Sequence, residues 1–172
     1  MVKFPCKWLI SGNENMMLLT GEYEHVIDDK GRVLVPNKLR NQIDTKEFGG
    51  DFYLAFGANG ILCLYPEKCF ERIAVALAQK NAAADETVDF ERMNFGLAGK
   101  VELDSQGRLL LNERLRKRAG LKDNVTLIGV RDHIELWNTQ DWEQYSVDKM
   151  PQFQKRVAQV RQEILQRQNQ DV

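Results

Sequence analysis

The sequence predicts an α+β fold: two tandem copies of one small β module, pseudo-symmetric and flanked by helices, followed by a long helix at the C-terminal end. The first observation behind this is an internal repeat. The thirteen residues Asp28-Asp29-Lys30-Gly31-Arg32-Val33-Leu34-Val35-Pro36-Asn37-Lys38-Leu39-Arg40 recur as Asp104-Ser105-Gln106-Gly107-Arg108-Leu109-Leu110-Leu111-Asn112-Glu113-Arg114-Leu115-Arg116. Six of the thirteen positions are identical: Asp28/Asp104, Gly31/Gly107, Arg32/Arg108, Leu34/Leu110, Leu39/Leu115 and Arg40/Arg116. Chance at ordinary residue frequencies would give about one. The second observation is that each copy is followed by two short apolar runs joined by a turn, and then by a stretch of helical periodicity.

In the first copy, Gly21-Glu22-Tyr23-Glu24-His25-Val26-Ile27 alternates well enough for a strand. Asp28-Asp29-Lys30-Gly31 makes a turn, and Val33-Leu34-Val35 a short strand. Pro36 suits the first turn of a helix over Asn37 to Ile43, where its missing N–H would be unpaired anyway. Gly49-Gly50 precedes Phe52-Tyr53-Leu54-Ala55-Phe56, which pairs through Gly57-Ala58-Asn59-Gly60 with Ile61-Leu62-Cys63-Leu64-Tyr65. The second copy repeats the order: Lys100 to Leu103, the turn, Leu109 to Leu111, a helix from Glu113 to Ala119 stopped by Gly120, then strands Val125–Val130 and Ile134–Trp137. The repeat offset drops from 76 at the turns to 72 at Tyr65/Trp137, so the first copy carries four extra residues, assigned to the Asp44 to Gly50 loop.

Helices follow both hairpins. Phe70, Ile73, Ala74, Leu77 and Ala78 share one face, and Phe90, Met93 and Leu97 another. Tyr65, Phe70, Trp137 and Trp142 read as core anchors at the strand-to-helix junctions. Pro151 punctuates the chain, after which Phe153, Val157, Val160 and Ile164 form a narrow apolar stripe. Such a stripe packs on its own domain or meets a neighbouring subunit; the first is expected, with the Gln-rich end from Gln166 fraying.

The 172 residues are enough to bury a core, and 28% charged with 43% hydrophobic residues excludes wholesale disorder. Three cysteines (Cys6, Cys63, Cys69) without a Cys-x-x-Cys pair, and two histidines (His25, His133), give no zinc-type spacing and read as reduced thiols and structural or exposed imidazoles. No metal or cofactor is expected, no small-molecule substrate, no membrane span, and no catalytic centre: Asp28-Asp29 is an adjacent pair of which only Asp28 is repeated. Residues 1–16 carry a weak signal-peptide flavour broken by Pro5-Cys6-Lys7, and are expected to be a disordered extension, with Met16 or Met17 as the true start.

The repeated turn has its own logic. The Asp carboxylate accepts backbone N–H bonds, Gly takes a positive φ, and the Arg that follows is projected from a defined backbone. A guanidinium so placed suits a phosphate or guanine O6/N7, the plain alternative being a salt bridge to its own Asp. Net charge is −1, against the basic footprint usual for nucleic-acid binders, but Arg108, Arg114, Arg116, Lys117, Arg118 and Lys122 gather within fifteen residues against Glu113 alone. A charged loop written twice suggests a partner that also repeats.

In Gly21-Glu22-Tyr23, the two Asp-x-x-Gly-Arg turns with Lys30 and Pro36, Ala119-Gly120-Leu121, and Glu135-Leu136-Trp137 with Trp142, the chain resembles the MraZ family, bacterial transcriptional regulators built from two SpoVT-AbrB-type repeats. The resemblance implies a swapped-hairpin AbrB-like β core, repeat 1 over 21–67, a helical connector over 68–97, repeat 2 over 98–141 and a C-terminal helical segment over 142–172. It also implies a cytoplasmic, nucleoid-associated protein that binds double-stranded DNA with tandem direct repeats upstream of a cell-division and cell-wall gene cluster, as a homo-oligomeric ring. The expected DNA-binding residues are Lys30, Arg32, Lys38, Arg40, Arg108, Arg114 and Arg116, on turns shaped by Asp28, Gly31, Asp104 and Gly107. Gln106 in place of Lys30, and Asn112 in place of Pro36, favour the first loop. The alternative is an antitoxin-type adaptor that binds a protein partner through the same fold.

Overall fold

The computed structural model describes residues 17–78 and 85–168. The expectation for residues 1–16 lies outside the described residues. In chain order the elements are β1 (Glu22–Val26), β2 (Arg32–Leu34), α1 (Asn37–Arg40), α2 (Thr45–Phe48), β3 (Phe52–Phe56), β4 (Leu62–Pro66), α3 (Glu67–Ala78), α4 (Asp85–Gly96), β5 (Gly99–Val101), β6 (Arg108–Leu110), α5 (Glu113–Arg118), β7 (Asn124–Val130), β8 (His133–Asn138) and α6 (Thr139–Gln168). This is the α+β architecture of two β modules and a long C-terminal helix.

All strand pairs are antiparallel, in a six-stranded sheet of order β1-β7-β8-β4-β3-β5 and a two-stranded ribbon β2-β6. The order exposes an exchange. The opening strand of the first copy, β1, pairs with β7 of the second, and β5 of the second pairs with β3 of the first. Swapping therefore runs between the two copies of one chain, and neither copy holds a sheet of its own.

A pseudo-twofold relates the copies. In the β2–β6 ribbon Val33 faces its own equivalent Leu109, and in the β4–β8 pair Cys63 faces its equivalent Glu135, so the axis passes between both pairs. The registers also locate the extra residues of the first copy. His25 pairs with Val125, and its equivalent Val101 with Phe52, which gives offsets of 101 − 25 = 76 and 125 − 52 = 73; Leu64 and Leu136 face Leu54 and Leu127, an offset of 136 − 64 = 72. Three of the extra residues thus precede β3, and the fourth sits in the β3–β4 turn rather than in the Asp44 to Gly50 segment. That segment is no plain loop either: Asp44 accepts from the Lys46 N–H at 3.0 Å and caps the one-turn α2.

One face of the large sheet carries Phe52, Leu54, Leu62, Leu64, Val125, Leu127, Ile134 and Leu136, all buried. They pack with Val33, Val35, Leu39, Leu109, Leu111 and Leu115 from the ribbon and from α1 and α5, closing one core over both copies. Aromatic rings gather on the other face at the junctions with α3 and α6. Phe70 stacks on Tyr53 with centroids 4.7 Å apart, and Trp137 meets Trp142 at 5.5 Å and Tyr145 at 4.9 Å. The four anchors expected from the sequence all lie in these clusters, Phe70 and Trp137 buried, Tyr65 and Trp142 half-buried.

Three helical expectations need correction. Phe90 and Met93 stay exposed, and α4 docks instead through Phe95, edge-on to Phe70 at 5.9 Å. Pro151 lies inside α6, which runs unbroken from Thr139 to Gln168. The lost proline N–H leaves the Val147 carbonyl without its helical donor, which is tolerable because Val147 and Pro151 are both exposed and water can serve it. Helix α6 is described as far as Gln168, and 169–172 lie outside the described residues. Two members of the stripe on α6 are not packed as expected: Phe153 is 60% exposed and Val160 is exposed too, with Val157 half-buried, because the helix contacts β7 and β8 and then runs past the sheet. Among the described residues, no helix is long and apolar enough to cross a membrane.

Candidate nucleic-acid interface

Both repeated turns close in the same way. Asp28 Oδ1 accepts the N–H groups of Lys30 at 3.0 Å and Arg32 at 2.9 Å, while the Gly31 N–H donates to the Asp28 carbonyl at 2.8 Å. Asp104 repeats this with Gln106 and Arg108, both at 2.9 Å. Gly31 and Gly107 each have φ +77°, a conformation in which a Cβ is strained. The Arg then turns back on the anchor: Arg32 Nε and Nη2 lie 2.8 and 2.7 Å from Asp28 Oδ2, and Arg108 lies at the same distances from Asp104 Oδ2. The salt bridge to its own Asp, the plain alternative, is what each Arg forms. It does not hide the guanidinium, since the Arg32 and Arg108 side chains are 28% and 29% exposed and only two of five N–H donors are spent on it. The carboxylate acts as a jig that holds the fork at the surface.

The Arg32 side-chain hydrogen bond is the leading cause that pulls the Asp28 carboxyl from the ordinary 3.8 down to about 2, and Arg108 lowers Asp104 likewise. A carboxylate with a depressed folded-state pKa contributes its stabilisation fully above its unfolded value and loses it as pH falls through the folded one. The turn should therefore be intact from about pH 4 upward and open as pH falls from about 4 toward 2. Carboxyl carbon shifts followed by NMR should give an Asp28 midpoint near 2; a midpoint near 4 would show that the pair does not form in solution.

The ribbon joins the two turns, one at each of its ends. Arg32 faces Leu110, Val33 faces Leu109, and Leu34 faces Arg108. Alternation buries Val33 and Leu109 and leaves Arg32, Leu34, Arg108 and Leu110 on one outward face. Each turn is tied to the other copy's strand, by Val35 N–H to the Gly107 carbonyl and Leu111 N–H to the Gly31 carbonyl, both 2.9 Å. The exposed Leu34 and Leu110, set beside the arginines, were not picked out from the sequence, although the two-residue period of Arg32-Val33-Leu34 and Arg108-Leu109-Leu110 carries that signal.

The remaining basic residues divide into two sets. Lys30, Lys38 and Arg114 are exposed beside the turns, as is Gln106. Arg40 and Arg116 are already engaged: Arg40 Nε donates to the Val35 carbonyl at 3.0 Å and its Nη2 to Asn37 Oδ1, and its guanidinium lies over Gly107 where a Cβ would collide with it. Arg116 donates to the Leu121 carbonyl at 3.3 Å and pairs with Asp123 at 2.7 Å. Asn112, which replaces Pro36, caps α5 by accepting from the Arg114 N–H at 2.8 Å.

His25 is half-buried on β1, and burial lowers its pKa. His133 lies on the helix-facing side of the sheet. Burial is the largest influence on its charge and opposes it, but the hydrogen bonds with Asp132, Cys63 and Glu135 together prevail and push its pKa up to about 11. Cys63 and Cys69 are buried free thiols.

Comparison with known proteins agrees with this architecture. The family model "MraZ protein, putative antitoxin-like" matches residues 18–93 and 95–162, one match on each copy. The chain is 37% identical over 131 residues to the protein named Transcriptional regulator MraZ of Finegoldia magna, covering 76% of this chain and 88% of the relative. It is 36% identical over 141 residues to that of Caldicellulosiruptor bescii, covering 78% and 95%, and 32% identical over 137 residues to that of Heliobacterium modesticaldum, covering 80% and 92%. With two matched repeats, the shared turn geometry and relatives spanning most of its length, the chain belongs to the MraZ family.

Proposed function

We propose that the chain is a sequence-specific DNA-binding transcriptional regulator, not an enzyme, that recognises short direct repeats upstream of a cell-division and cell-wall gene cluster and acts at the nucleoid as a homo-oligomeric ring. The observation that carries the reading is the ribbon face, on which two Asp-anchored arginines, related by the pseudo-twofold, stand at the surface at opposite ends of one short ribbon. Arg32 and Arg108 read base edges, Lys30, Lys38 and Arg114 meet phosphates, and Arg40 and Arg116 hold the frame that presents them. The relatives' name, transcriptional regulator, supports the same reading. An antitoxin-type adaptor would be favoured by basic side chains covered by the protein's own helices; Lys30, Lys38 and Arg114 are exposed.

Assembly follows from charge. A chain of net charge −1 with two basic loops makes too few phosphate contacts for tight binding alone, so linked copies supply the avidity. The exposed stripe of Phe153 and Val160 on α6 offers apolar surface for such contacts. Footprinting of the purified protein on the DNA upstream of its own gene tests the whole reading. Protection should require at least two repeats in register and weaken steeply with salt. A monomer by light scattering that still binds a single repeat tightly would refute the ring, and absence of any protected site would refute the regulator.

A further inference from the structure

On the side of the sheet away from the ribbon, three ligand-type side chains converge. Cys63 and Glu135 are direct partners in the β4–β8 ladder, and His133, two residues ahead of Glu135, lies on the same face. One ligand atom from each, the Cys63 sulfur, a His133 ring nitrogen and a Glu135 carboxylate oxygen, all lie within 4.8 Å of one another. We infer that Cys63, His133 and Glu135 form a binding site for one divalent transition-metal ion of the zinc class.

One of the three donor separations already fits a bound ion. Zinc–ligand bonds of about 2.0–2.3 Å at tetrahedral angles put donor atoms about 3.4–3.7 Å apart, and His133 Nε2 already lies 3.6 Å from Glu135 Oε1. The far sides of His133 and Glu135 are fixed, as metal ligands usually are, while the Cys63 thiol donates to the Ile61 carbonyl at 3.7 Å. Asp132 Oδ1 sits 2.8 Å from His133 Nδ1, which leaves Nε2 as the coordinating nitrogen. Trp137 Nε1 donates to Glu135 Oε2 at 2.8 Å, leaving Oε1 on the cluster side. Tyr65 stacks on the imidazole at 4.7 Å and sets its plane. Room for the sulfur depends on Gly57, where a Cβ would come within 2.6 Å of Cys63 Sγ.

The donor set selects the ion. Thiolate, imidazole and carboxylate suit zinc-like ions and not magnesium or calcium, which take oxygen ligands. A thiolate and a carboxylate neutralise a dication in a half-buried site, and three protein ligands leave the fourth position to water. Cys63 comes from the first copy and His133 and Glu135 from the second, so the ion would join the copies beside the pseudo-twofold axis. Symmetry is broken there, because the Cys63 and Glu135 positions are equivalent in the repeat yet carry different donors.

The test uses the full-length protein with Cys6 and Cys69 replaced by Ser, titrated with Co²⁺ after chelator treatment. One equivalent should bind with the intense visible band of tetrahedral cobalt and a thiolate-to-cobalt charge-transfer band, Zn²⁺ should displace it, and the melting temperature should rise with metal. Cys63→Ser, His133→Gln and Glu135→Gln should each weaken uptake at least tenfold, and Asp132→Asn by about ten- to a hundredfold. If circular dichroism shows that Cys63→Ser does not fold, His133→Gln decides alone: loss of the charge-transfer band supports the site, and its retention overturns it. A weak octahedral spectrum without charge transfer on the folded protein also overturns it.

Discussion

Arg32→Ala should lower operator affinity on the order of ten- to a hundredfold for each loop engaged, because a well-placed Arg–guanine pair is worth about 1–3 kcal/mol. In an oligomer that uses several loops at once, the result should be loss of detectable shifts in a gel titration. Arg108→Ala should cost less, since Gln106 stands where the first loop has Lys30. A sharper form of the same expectation concerns Asp28→Asn. That change removes a negative charge from the proposed DNA-binding face, and simple charge counting predicts tighter binding. The geometry predicts the reverse, because Asp28 Oδ2 positions the Arg32 fork and Oδ1 ties down two amides of the turn. Tighter binding by Asp28→Asn, or equal and negligible effects of Arg32→Ala and Arg108→Ala, would sink this account.

Gly129→Ala should destabilise the protein by about 1–3 kcal/mol, the usual cost of forcing an extra methyl into a packed site. Gly129 lies in β7 where the segment leading into β1 crosses, and its N–H donates to the Gly21 carbonyl at 2.8 Å. A Cβ there would lie 2.6 Å from the Thr20 nitrogen and 2.8 Å from the Leu19 carbonyl carbon. Those atoms are backbone and cannot swing aside as a side chain can. Relief requires moving Leu19, a fully buried core residue bridged to Arg131. Gly99→Ala is the matched control, also in a strand but with nothing within 4 Å of the added carbon. Urea denaturation should separate the two; equal stability of both variants would show that the contact at Gly129 relaxes freely.

Much of this architecture was legible in the residues. Strands, turns and short helices are local, and the thirteen-residue repeat carries the pseudo-symmetry. What the sequence hid was non-local. Nothing in Glu22-Tyr23-Glu24 says that its ladder partner is β7 and not the β3–β4 hairpin that follows it. Pro151 reads as a stop because proline removes a helical hydrogen bond and crowds the preceding turn, and the sequence did not show that the freed carbonyl would lie at the surface. Phe90 and Met93 have the spacing of a packed face, but Phe95 makes the contact. At the candidate interface, the Asp-x-x-Gly-Arg pattern identified the turn and the Arg that follows it. Sequence could not separate Arg40 and Arg116, held by backbone carbonyls of their own copy, from the exposed Lys38 and Arg114.

The exchange of opening strands also fixes an order of events during synthesis. Val26 meets its partner Asn124 only after a further 98 residues have been made, by subtraction of their numbers. At about 5–20 residues per second, that is roughly 5–20 seconds on the ribosome. Throughout this interval β1 has no ladder partner, and the β3 edge stays open until β5 has been made. Completion by the second half of the same polypeptide then competes with capture by the first half of a neighbouring nascent chain on the same message. The covalent joining of the two copies tips that race toward the intramolecular product, by keeping the correct partner at high local concentration as soon as it is translated.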